Sequence, residues 1–114
     1  MAVSDSYLEY LRERLSVVGP GVSFRKMFGG AGAYYRGLIF AVISDDVLYF
    51  KAGDENLADF KAVRAEAFQP MPDKPPMPYY ALPADVLEDD EQLKLWIEKA
   101  VAVSRKAAAR KRKK

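Results

Sequence analysis

Between Val22 and Lys51, short runs of β-branched and aromatic residues are interrupted by pairs of turn-forming residues: "VSFRKM", "AGAYY", "LIFAVIS" and "VLYFK". Residues of this kind are stiff at χ1 and favour a pleated surface, and consecutive runs joined by two-residue connections pair as antiparallel neighbours. The pattern predicts a meander with strands at 22–27, 31–35, 38–44 and 47–51, and tight turns at Arg36-Gly37 and Asp45-Asp46, where Gly37 can supply a positive φ. The order of the strands in space is not encoded in this pattern. Residues 38–43, "LIFAVI", are apolar at both parities, so this strand is expected at the centre of the sheet with cover on both faces. Helices suit one face, and a second subunit or the last helix suits the other.

The flanking segments have a helical period. Leu8, Leu11, Leu15 and Val18 form one stripe over 4–18, Ser6 and Glu9 have capping-box spacing, and Gly19-Pro20 ends the run. Leu57, Phe60 and Val63 predict a second helix over 55–66. Five prolines between Pro70 and Pro78 exclude a helix or a central strand there, leaving an extended connection able to pair as an edge strand around 77–81. After a short turn at 83–87, Asp89 or Asp90 caps a third helix, in which Leu93, Trp96, Ile97, Ala100 and Val101 form the buried stripe. Helix, four strands, helix, extended segment, helix is an α+β order. The expected architecture is two-layered: a curved antiparallel sheet, made of the four-strand meander plus an edge strand, with helices packed on one face.

Composition then limits the chemistry. The 114 residues, 50% apolar, suit one core, with a domain over 1–104 and a tail over 105–114 that is disordered or helical. The absence of histidine removes the commonest general acid/base, and the absence of cysteine removes thiolate nucleophiles, disulfides and cysteine metal sites. A Ser-His-Asp triad, a Cys-His pair and a zinc site are excluded. With neither a signal-peptide pattern at the N-terminus nor a long uncharged apolar run, a soluble, cytoplasmic protein without membrane contact is expected.

Charge is divided unevenly. Seven of the 18 cations, Arg105, Lys106, Arg110, Lys111, Arg112, Lys113 and Lys114, occupy the last ten residues, leaving 11 against all 16 acids in residues 1–104, a net of −5. An acidic body with a basic arm points to a polyanionic partner, with the arm contacting nucleic-acid phosphates without reading sequence.

Other motifs yield simpler readings. "GGAGAYY" lacks the third glycine of a dinucleotide fingerprint and no Gly-Lys-Ser/Thr follows it, so its glycines read as a bent or bulged strand connection with close backbone approach. The alternating aromatics read as core rather than as a base-stacking platform. Asp45-Asp46 suits a hairpin turn and Glu88-Asp89-Asp90-Glu91 a helix start; neither has hard-metal loop spacing, and no metal or cofactor is expected. Arg25, Lys26 and Phe28 are the candidate partner-binding patch. No catalytic residue stands out, although a ligand-binding or enzymatic site built from tyrosines and carboxylates remains open to this sequence.

Residues 25–60, "RKMFGGAGAYYRGLIFAVISDDVLYFKAGDENLADF", together with "MPYYALPADVLEDDEQLKLWIEKA", resemble the N-terminal domain of the TfoX/Sxy family of bacterial competence regulators. The most specific pieces are Arg25 to Gly30, Phe40-Ala41, Leu48 to Lys51, and Tyr79-Tyr80 ahead of Leu82-Pro83. The resemblance implies the same α+β fold and a regulatory role, in which fuller members act as coactivators beside a cyclic-AMP receptor protein. It supplies no catalytic residues. The resemblance implies that those members carry a second, helical C-terminal domain, and the basic tail is expected in its place here. Sequence and resemblance together predict a non-enzymatic, transcription-associated interaction protein, with a protein partner, nucleic-acid contact through the tail, and homodimerisation through the doubly apolar strand.

Overall fold

The computed structural model describes residues 4–27, 30–69, 71 and 73–112. The elements are α1 (Asp5–Leu15), a short 3-10 turn (Ser16–Val18), β1 (Val22–Met27), β2 (Gly30–Tyr35), β3 (Leu38–Ser44), β4 (Val47–Lys51), α2 (Leu57–Ala62), β5 (Ala67–Phe68), β6 (Met77–Ala81), α3 (Ala84–Leu87) and α4 (Asp90–Arg112). All six strands join one antiparallel sheet in the order β1-β2-β3-β4-β6-β5. The fold is thus α+β, as expected, with the helices packed on the sheet.

Both hairpin turns have two central residues at positive φ: Arg36 and Gly37 at 50° and 87°, Asp45 and Asp46 at 53° and 57°. This geometry matches the right-handed twist of the strands it joins, and Asp tolerates it better than most side chains. Asp46 also ties the turn to α1, accepting from the Ser4 backbone N–H at 2.8 Å and the Ser4 hydroxyl at 3.0 Å. Ser4 in turn accepts from the Tyr7 N–H. The cap of α1 is therefore Ser4 and not the Ser6/Glu9 pair; Glu9 faces Arg12 one turn along, at 3.2 Å.

The alternation of the strands separates two faces. Ala31, Ala33, Ala41, Ile43, Leu48 and Phe50 share the face under the helices and join Leu8, Leu11, Leu15, Leu93, Ile97 and Ala100 in the core. A β-bulge explains why residues 38–43 look apolar at both parities. The register passes from Ala33↔Ala41 to Tyr34↔Ile39, leaving Phe40 unpaired, so that Phe40 and Ala41 both enter the core, each with no exposed surface. Phe40 meets Phe50 edge-on, with ring centroids 5.7 Å apart. Ile39 and Val42 are left on the opposite, open face.

Three expectations change in detail. The second helix ends at Ala62, because Arg64 adopts a φ of 55° and Val63 is 47% exposed instead of lying in a stripe. Phe60 is its buried anchor, edge-on to Trp96 at 5.0 Å and stacked on Tyr80 at 5.6 Å, with Leu57 also packed against the core. The strand at Met77–Ala81 is internal and not an edge, since β5 pairs along its outer side.

Asp89 settles the start of α4 by accepting from the backbone N–H groups of Glu91 and Gln92 at 3.0 and 3.1 Å. These bonds, led by that from Gln92, hold its carboxyl below the ordinary value. A carboxyl depressed in the folded state contributes its full stability above the unfolded pKa and loses it as pH falls through the folded one. Asp89→Ala is therefore expected to lower the thermal midpoint at neutral pH, and the gap from wild type should close as pH drops below about 4. Melting curves across that range check it, and a gap independent of pH would contradict the cap.

Candidate functional site

The basic arm is not separate from the fold. After the buried stripe of Leu93, Ile97, Ala100, Val101 and Ser104, α4 continues in the same register through Arg105 and Lys106 to Arg112. Ala107, Ala108 and Ala109 are the best helix formers available, and cations in a last turn are favoured by the carbonyl end of the helix dipole. Arg105, Lys106 and Arg110 are exposed. Lys111 and Arg112 complete the helical backbone, while Lys113 and Lys114 lie outside the described residues.

This basic end rests on the turn that follows β4. Asn56, only 3% exposed, shapes that turn: its side-chain carbonyl accepts from the Gly53 N–H at 2.8 Å and its amide donates to the Lys51 carbonyl at 2.9 Å. Gly53 lies under Val103 so closely that an added Cβ would stand 2.9 Å from a Val103 methyl. The next side chain but one, Glu55, pairs with the Lys106 ammonium at 3.2 Å. Its own backbone N–H, then Lys106, and more weakly Arg110, hold the Glu55 carboxyl below the ordinary value. Lys51, Lys106 and Arg110 with Glu55 line a cavity of about 200 Å3 at this junction.

The open face of the sheet offers a second surface. A groove of about 440 Å3 runs across Gly30, Ile39 and Val42 and is walled by Phe68, Met71, Met77 and Tyr79. Met71 and Met77 are 55% and 43% exposed, and Phe68 lies over Tyr49 with ring centroids 4.8 Å apart. Among the described residues of the lining, the polar side chains are Ser44 and Tyr79, and none is a carboxylate. Burial, then the neighbouring Tyr34, pushes the Tyr79 hydroxyl up, so it stays protonated and cannot serve as a base near neutral pH.

Arg25 and Lys26 are both exposed on β1, but as strand neighbours they face opposite sides. The Arg25 guanidinium lies 5.6 Å from the centre of the Tyr34 ring on the open face, and Lys26 pairs with Asp5 of α1 at 3.5 Å. Phe28 lies outside the described residues. Among the described residues no cluster of acids is arranged to hold a metal ion, and no helix is long and apolar enough to cross a membrane.

Two features escaped the sequence. Glu55 is separated from Lys106 by the whole of α2, β5, β6 and α3, and no period links them. For the groove a signal existed: Phe68, Met71 and Met77 are large apolar residues in a proline-rich connection, where a solvated linker has no need of them.

No curated protein matches the sequence. The model of the TfoX N-terminal domain matches residues 13–104, which takes in every strand, α2, α3 and the part of α4 that packs on the sheet. The chain belongs to the TfoX N-terminal domain family.

Proposed function

We propose that this protein acts by docking and not by catalysis, as a transcription-associated accessory factor whose folded body binds protein and whose basic helix end contacts nucleic-acid backbone. One observation carries the reading: a body of net charge −5 ends in seven cations within ten residues, at least three of them exposed on a helix. Such an arm attracts phosphates through counterion release and, with charges distributed around a helix instead of aligned on base edges, binds without sequence preference. The family's regulatory association supports the same role.

Deleting residues 105–114 removes the arm but none of the core, which ends at Ser104. Retention on immobilised duplex DNA at low salt is expected to fall to background while the circular dichroism spectrum keeps its folded form. Undiminished retention by the folded, truncated protein rules the arm out.

The body's protein contact belongs on the open face, where the groove leaves apolar surface uncovered, and a second copy of the chain is its simplest occupant. Light scattering should then report a dimer at high concentration; a monomer throughout retires this contact. The groove also has the size of a small-ligand site, which favours a second reading: an apolar ligand held there with Ser44 and Tyr79 as its polar anchors. A rise in melting temperature with such a ligand, in a protein that stays monomeric, would select it over the dimer.

A further inference from the structure

Lys106 and Arg110 stand one helical turn apart, a spacing at which like charges repel and weaken a helix. The structure relieves this from outside the helix. Glu55, fixed by the Asn56-braced turn, brings its carboxylate to 3.2 Å from the Lys106 ammonium and close enough to Arg110 to feel its charge. A carboxylate paired with a cation on a helix end occupies the place a phosphate would take. We propose that Glu55 is a built-in competitor for nucleic-acid phosphate, holding Lys106 in a masked state that a polyanion must displace.

The inference rests on the reading of the arm as the phosphate-binding element, and adds to it that the arm's affinity is set by an acid of the body. The pair is partly exposed, with Lys106 and Glu55 side chains at 52% and 31% accessibility, so it yields readily to a denser array of negative charge. Masking of this kind lowers binding to isolated anions while leaving binding to a polyanion possible.

Glu55→Gln keeps the shape of the side chain and removes its charge. On a short mixed-sequence DNA duplex at low salt, E55Q is expected to bind about 3- to 10-fold more tightly than wild type, with a dependence on salt steeper by about 0.9, the contribution of one further cation free for phosphate. Glu13→Gln serves as the control, since it adds the same net charge from an exposed position on α1. In the double variant E55Q/K106Q the gain should disappear, because the cation it unmasks is gone. Equal gains from E55Q and E13Q, or a gain that survives K106Q, would overturn the proposal. If E55Q binds like wild type while truncation at residue 104 abolishes binding, the masking is wrong and the arm reading stands. If truncation changes nothing, the arm reading itself fails and the masking falls with it.

Discussion

Phe50→Ala is expected to destabilise the protein by about 3–5 kcal/mol, a large part of the roughly 5–15 kcal/mol that holds a domain of this size. Phe50 has no exposed surface, sits opposite Ala41 on one side and Tyr80 on the other, and packs edge-on against Phe40. Alanine leaves a void beneath the helices that backbone hydrogen bonds to both neighbouring strands prevent from collapsing. Urea unfolding should show a lower midpoint with an unchanged slope. Phe68→Ala offers the contrast, since Phe68 is half-buried on the open face and, among the described residues, meets the Tyr49 ring. Comparable losses from the two would mean that the core does not lie between helices and sheet.

Gly30→Ala is the second large effect. A Cβ on Gly30 would stand 2.2 Å from the Ile43 carbonyl oxygen, a backbone atom in β3. No rotamer change relieves such a contact; relief requires β2 and β3 to part, at a cost at or above the roughly 1–3 kcal/mol of an overpacked core. Gly37→Ala separates sterics from conformation. It has open space around it and a φ of 87°, so its cost is only that of a left-handed backbone, about 1–2 kcal/mol. Denaturation should rank G30A as the more damaging, and a well-tolerated G30A would contradict the close approach of the strands. The glycine-rich stretch is accordingly a packing device at Gly30 and a strand from there to Tyr35.

What the sequence made legible was local. Strand limits at Val22–Met27, Leu38–Ser44, Val47–Lys51 and Met77–Ala81 follow from runs of β-branched and aromatic residues bounded by turns, and both hairpin turns follow from their residue types. What it hid was long-range. Two residues, Ala67 and Phe68, form a strand only because β6 offers a partner, and that pairing moves Met77–Ala81 off the edge. The bulge at Phe40 turns an apparent two-faced strand into one that sends two adjacent residues the same way, which no parity count shows. Ser4 caps α1 with help from Asp46, a residue on a turn after three strands. For the candidate site, the cations were visible as a run of charge, but their continuation of a packed helix and their contact with Glu55 depend on tertiary structure.

The groove and the basic helix end together describe a protein that presents surfaces. Lys99 and Lys106 are held in ion pairs with Asp59 and Glu55, and Tyr79 is buried and held protonated. The division of charge between body and arm is the feature on which the functional reading depends. Measuring the association constant of the whole protein with duplex DNA between about 50 and 200 mM salt tests it most directly, because each cation that neutralises a phosphate adds about −0.9 to the logarithmic slope. A slope near −4, lost when residues 105–114 are removed, is the predicted result; a slope near zero, or one the truncated protein retains, would contradict the account.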